Sequence, residues 1–245
     1  MRRDVLDLRE FYAGALGGAA REMVTRKVEE AWGSLADLDL LALGYATPFA
    51  EPLAAGARRA VAAMPAAQGV EAWPLGQSNA AALVDETALP FPNAFFDRVL
   101  AVHALEEAES PVSVMSEIAR VMAPSGRVIV VAVARHGLWA NAESSPFGHG
   151  RPFSRRQLEA LVREAELEPA GWTRALYAPP LGWAARWAEG FEQAGAWLWP
   201  PLAGLILMEA KKQALAVRTA PRRRRARVFA PGALRPVVGA RSLGG

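Results

Sequence analysis

The sequence predicts a single α/β domain built on a doubly wound, mostly parallel sheet, and three observations lead there. Short apolar runs such as residues 38–43 and 127–133 lack polar alternation, so a strand formed from them needs cover on both faces. From about residue 38, such runs alternate with stretches of helical periodicity. The first run closes on Gly44 and leads at once into Thr47-Pro48, a helix-start signal. That places a turn at the carboxyl end of a strand, where sheets of this kind bind ligands.

In chain order, residues 4–32 read as two helices. Asp4 is a fitting N-cap, Val5, Leu8, Phe11 and Tyr12 recur at helical spacing, and Gly17-Gly18 breaks the pattern. Residues 38–43 form the first strand. A helix capped by the Thr47 hydroxyl follows, with Leu53, Ala57, Ala60 and Val61 inward, and ends near Pro65. Strands are expected near 70–73, near 81–84 and over 96–102. A helix is expected over 111–122, with Val114, Ile118, Val121 and Met122 on one face. Residues 127–133 form a β-branched strand. Ser154 caps a helix over 155–166, and strands near 171–177 and 203–210 flank a tryptophan-bearing helix.

Composition narrows the function. The 245 residues contain no cysteine, which excludes disulfides, thiolate metal sites and cysteine nucleophiles. No N-terminal apolar region follows Arg2 and Arg3, and the apolar stretch 197–208 is broken by Pro200 and Pro201. Neither a signal peptide nor a transmembrane segment is expected, and the reading is cytoplasmic. Of the 28 basic residues eight are arginines from Arg218 onward, where no acid stands, leaving 20 basic against 25 acidic residues before them. The body is mildly acidic, so the net charge of +3 is no argument for a nucleic-acid-binding body. Three parts follow: a helical segment 1–34 packed on the domain, an α/β domain 35–214, and an arginine-rich tail 215–245 expected to be disordered.

An ordered set of residues then stands out. It runs from Gly44-Tyr45-Ala46-Thr47-Pro48 through Asp85-Glu86-Thr87-Ala88-Leu89-Pro90-Phe91 to Phe96-Asp97-Arg98. His103-Ala104-Leu105-Glu106 and Arg120-Val121-Met122-Ala123-Pro124-Ser125-Gly126 complete it. Over residues 36–133 this set resembles the class I S-adenosylmethionine-dependent methyltransferases, in their type 11, small-molecule branch. The resemblance implies a Rossmann-like sheet of seven strands with the last antiparallel, S-adenosylmethionine as cofactor, and methyl transfer to a small-molecule substrate. It places Gly44, Tyr45, Ala46 and Thr47 at the loop that cradles the cofactor's methionine part. Asp85, with Glu86 beside it, falls where the family's acid meets the adenine, and Leu89 at the adenine pocket. His103 falls where the family faces the methyl group.

This chain departs from that pattern. Ala46 and Pro48 replace the second and third glycines of the loop; the first adds a methyl group where backbone should approach a ligand, and the second removes an N–H. The expected second strand ends in Glu71-Ala72-Trp73-Pro74 with no acid at its tip, leaving Gln77 or Asn79 as neutral substitutes for a ribose partner. The alternative to an enzyme is therefore a catalytically inactive binding or regulatory protein on the same fold.

The remaining candidates are read from the residues themselves. His103 and Glu106 flank the mouth of the fourth strand, and an imidazole–carboxylate pair suits acid–base work; the alternative is a polar first turn of a helix. Residues 135–153 carry His136, Trp139, His149 and Arg151 in a connection longer than usual, either a substrate-covering loop or an ordered crossover. His103, His136 and His149 lack metal-ligand spacing, so no metal is expected. Trp183 and Trp187 lie one turn apart on a helix that either covers the sheet or presents a patch to a partner or membrane. Arg222, Arg223, Arg224, Arg225 and Arg227 form a run suited to nonspecific nucleic-acid contact, or to solvation alone.

Overall fold

The computed structural model describes residues 3–213 and the backbone of 235–236. The rest of the arginine-rich segment, for which disorder is expected, lies outside the described residues. Arg235–Pro236 are the exception: they form a short strand.

Helix α1 (Val5–Ala13) starts at Asp4, whose side chain accepts from the Leu6 N–H. Helix α2 (Ala15–Trp32) follows after Gly14. The break thus comes at Gly14, not at Gly17-Gly18. Gly17 instead lets α2 pass against the end of α1, because an added Cβ would run into the Phe11 carbonyl.

Strand β1 (Asp39–Gly44) is buried along its whole length. Helix α3 (Thr47–Ala54) comes next and is short, with Pro52 inside it. Here two expectations fail. The chain does not stay helical to Pro65: Arg59–Pro65 is strand β2, paired in parallel with β1. Residues 70–73 are no strand. The apolar positions 53, 57, 60 and 61 fit a helix, but Gly56 follows α3 and the alanine run fills a slot between two neighbouring strands, where small side chains pack on both faces. Thr47 is also not the cap. Ala46 holds that position, and the buried Thr47 hydroxyl has no partner.

Strand β3 (Ala81–Val84), β4 (Phe96–Val102), α4 (Pro111–Val121), β5 (Met122–Val133), α5 (Arg155–Glu164), β6 (Leu167–Ala175), α6 (Ala188–Leu198) and β7 (Leu205–Lys212) complete the core, and Arg235–Pro236 adds β8. The sheet order is β3-β2-β1-β4-β5-β7-β6-β8. Strands β1 to β5 are parallel, and β7 runs antiparallel to both β5 and β6. This is the expected seven-stranded, mostly parallel sheet with its last strand reversed, plus the two residues of β8.

Period-two alternation divides the core. Leu40, Ala42, Leu100, Val102 and Leu207 face the layer of α1, α2 and α3. Leu41, Leu43, Val99, Ala101 and Met208 face α4 and α5. At the amino ends of the strands, Asp39 takes a two-point bond from Arg58 (3.0 and 2.7 Å), and Asp97 accepts from the Asp39 N–H at 3.0 Å. Asp97 therefore ties β4 to β1 far from the ligand end.

Candidate active site

The carboxyl ends of the strands carry the chemistry. Gly44 ends β1 with φ +81°, and an added Cβ would collide with the Val102 carbonyl of β4. Its lack of a side chain serves the packing of β1 on β4. The next N–H, of Tyr45, donates to that same carbonyl at 2.9 Å. Tyr45 and Ala46 are consequently buried.

Helix α1 lies across this end. The Val5 N–H donates to the Gln68 carbonyl beyond β2, fixing the start of the helix. Tyr12, the penultimate residue of α1, stacks on Tyr45 (ring centroids 5.7 Å, 20° between planes) and meets Phe49 edge-on. The Tyr12 hydroxyl lies 2.7 Å from His103 Nε2, and the imidazole stacks on Phe147 at 5.0 Å. His103 follows β4 directly with φ +51°, which turns its ring toward α1. The space just past Gly44 is thus filled by an aromatic cluster.

Glu106 stands buried behind it. One carboxylate oxygen accepts from the Val133 N–H at 3.2 Å and the other has no partner. Burial pushes its carboxyl up to about 7, although neighbouring backbone N–H groups favour the charged form. Burial also holds the Tyr12 phenol well above its ordinary value, with the Glu106 and Tyr45 groups adding to the effect.

Beside the cluster a cleft of about 460 Å³ remains open, lined among others by Arg9, Arg21, Tyr45, Thr47, Glu71 and Trp73. It lies between the turn after β1 and the segment after β2. Burial, then the nearby Glu71 carboxylate, raises the Tyr45 phenol above its usual range. Two polar atoms of the lining side chains, the Thr47 hydroxyl and the Trp73 indole nitrogen, are buried without a hydrogen-bond partner. Such orphans call for an explanation in a native fold.

The other sequence candidates fall elsewhere. Asp85 is exposed and turned onto its own loop, accepting from the Thr87 N–H (2.8 Å) and hydroxyl (2.7 Å), which holds its carboxyl below the usual range. Glu86 is half-buried beside it. Leu89 is buried in the core on the α4 side, and its N–H donates to Glu117. Asn79 braces its own loop, accepting from the Trp73 and Ala81 N–H groups, while Gln77 is exposed.

The segment 135–153 is an ordered crossover. Trp139 is fully buried and donates to the Ala178 carbonyl at 2.8 Å. His136 is exposed, His149 contacts Arg3 and the Glu143 carbonyl, and the Arg151 N–H donates to the Glu106 carbonyl at 2.7 Å. Among the described residues no group of three or more histidine, aspartate or glutamate side chains could hold a metal ion.

Sequence reasoning missed Tyr12 and Glu71 as site residues. Tyr12 reads as one more apolar position of an amphipathic helix. Glu71 was hidden by the misplaced second strand, since the tip of β2 is really Pro65 and the segment 66–80 carries the residues that reach back to the cleft.

The comparisons with known proteins agree with this architecture. The Thermotoga maritima SAM-dependent methyltransferase described as a possible histamine N-methyltransferase is 18% identical, with a TM-score of 0.59 over 85% of this chain and 96% of that one. The Streptomyces coelicolor geranyl diphosphate C-methyltransferase, solved with Mg²⁺, geranyl diphosphate and S-adenosyl-L-homocysteine, is 13% identical (TM-score 0.57, 77% and 76% covered). The [4+2]-cyclase SpnF is 22% identical (TM-score 0.55, 78% and 80% covered). No curated protein matches the sequence. The fold is that of the class I methyltransferases. Within it, residues 46–130 match the family model described as "Methyltransferase domain", from the turn after β1 into β5.

Proposed function

We propose that this chain transfers a methyl group from S-adenosylmethionine to a small-molecule acceptor, with the cofactor held in the cleft beyond β1 and β2. The observation that carries the reading is that cleft: it opens at the ligand end of a class I methyltransferase sheet, and two of its lining side chains have buried polar atoms without partners. Its chemistry suits the cofactor. Glu71 offers a carboxylate to ribose hydroxyls, the role the family gives to an acid at the second strand. Arg9 and Arg21 offer positive charge to the cofactor's carboxylate. The Thr47 hydroxyl and Trp73 indole supply further polar contacts.

Held by these residues, S-adenosylmethionine would supply a methyl group activated on a sulfonium, for transfer to a nucleophilic atom of the acceptor with S-adenosylhomocysteine as the leaving group. The protein contributes alignment and exclusion of water, which the aromatic wall of Tyr12, Tyr45 and Phe147 favours. The Tyr12–His103 pair stands ready to take the acceptor's proton. Histamine and geranyl diphosphate, named for two structural neighbours, mark small amines and prenyl diphosphates as acceptor classes to assay first.

A second reading has its own support. The Tyr12–Tyr45 stack fills the space past Gly44 and Asp85 faces outward, as expected of a non-catalytic binding module on this fold. Calorimetry on the full chain separates the two. Saturable binding of S-adenosylmethionine and S-adenosylhomocysteine, weakened by Glu71→Gln, is the expected result. No heat with either ligand at millimolar concentration would leave only the second reading. The proposed location is the cytoplasm; among the described residues no helix is long and apolar enough to cross a membrane.

A further inference from the structure

One wall of the cleft is built from a segment that no strand steadies. Residues 66–80 leave the tip of β2 and return to β3. Their ends are braced: the Gln68 N–H donates to the Pro65 carbonyl, the Trp73 N–H to the Asn79 side chain, and the Ala80 N–H to the Trp73 carbonyl. Between these braces the backbone of Val70, Glu71 and Ala72 forms no hydrogen bond with a described residue. Glu71 is half-buried there and lines the cleft. A carboxylate at a strand tip takes its direction from the ladder; on this segment a side-chain partner must supply it.

Such a partner stands opposite. The Tyr45 hydroxyl faces Glu71, which acts on it as a charge and as a hydrogen-bond acceptor. Among the described residues no ion pair joins Glu71 to Arg9 or Arg21, although all three line the same cleft. Tyr45 is itself held fast. It is fully buried, its N–H donates to the Val102 carbonyl at 2.9 Å, and its ring stacks on that of Tyr12. Burial and the nearby carboxylate raise the phenol above its ordinary range, so near neutral pH the hydroxyl keeps its proton and can donate it. A carboxylate has about four lone-pair sites. The phenol takes one and leaves the others for two adjacent hydroxyls of a ligand.

We propose that Tyr45 is a positioning residue: its hydroxyl holds the Glu71 carboxylate facing into the cleft, where the remaining lone pairs take a vicinal diol, and so makes the cleft selective for ribonucleosides. Tyr45 has this role only if the cleft holds S-adenosylmethionine, and it acts through Glu71, not on the reacting atoms.

The test is calorimetry of the full chain with S-adenosylhomocysteine and with its 2′,3′-dideoxy analogue. The parent is expected to prefer the diol. Tyr45→Phe keeps the ring and its stack on Tyr12 and removes only the hydroxyl; an unchanged melting curve will verify the fold. This variant should bind S-adenosylhomocysteine about ten-fold more weakly and the dideoxy ligand as well as the parent does. A loosened fold or a damaged pocket would instead weaken both ligands alike. Glu71→Gln should erase most of the preference for the diol, and adding Tyr45→Phe to it should cost no more than about two-fold further, because the two side chains act as one unit. The proposal is overturned if Tyr45→Phe weakens both ligands equally, or if the losses from the two substitutions multiply. If the parent prefers the diol and Tyr45→Phe keeps that preference, only the role of Tyr45 falls. If the parent binds neither ligand, the cofactor reading of the cleft falls and the role of Tyr45 with it.

Discussion

At Glu106 the cost of burying a charge becomes measurable. Its carboxyl titrates near 4.5 when exposed and near 7 in the folded chain, with burial as the main cause. Between those values the folded state holds a proton that the unfolded state has released. The contribution to stability is therefore full below about pH 4.5, falls as the pH rises toward 7, and stays low above it. Its size is about 3 kcal/mol. Glu106→Gln keeps the acceptor for the Val133 N–H and removes the charge, so this part of the loss from pH 5 to pH 8 should vanish in denaturant titrations. A variant as pH-sensitive as the parent would mean that the group is hydrated. Gly44 is the second residue to test. Alanine there meets both a positive φ and the Val102 carbonyl, and a loss of about 2–4 kcal/mol is expected in the same measurement.

At the scale of elements, the Leu-Pro-Phe turn proves to be an anchor. Arg120 on α4 pairs with Glu117 and donates to the carbonyls of Leu89 (2.8 Å) and Phe91 (2.9 Å) and to Asn93 (2.7 Å). One side chain thus ties the segment between β3 and β4 to the helix after β4. Arg120→Ala should cost about 2 kcal/mol, the exposure of the pair tempering the effect, and it should speed amide exchange in residues 89–93 before it affects the sheet. The motif is legible in the sequence, but its anchoring by Arg120 and the packing of Leu89 in the core on the α4 side are not. Strands β1, β4 and β5 were equally legible, because a β-branched or leucine-rich run bounded by turn residues has few other outcomes. Strand β2 was not. Its alanines fit a helix locally, and only the neighbouring strands decide the matter, since a slot between β1 and β3 rewards small residues on both faces. That error moved the expected strand tip to residue 73 and concealed the part Glu71 takes in the cleft.

For the whole molecule, charge is divided along the sequence: an acidic body, and eight arginines after residue 217. Nonspecific nucleic-acid contact through Arg222, Arg223, Arg224, Arg225 and Arg227 remains a proposal with a definite signature. Five arginines can displace counterions from at most five phosphates, so log affinity against log salt should have a slope no steeper than about −4.5. Deletion of residues 218–245 should abolish that binding and leave a body that polyanions repel.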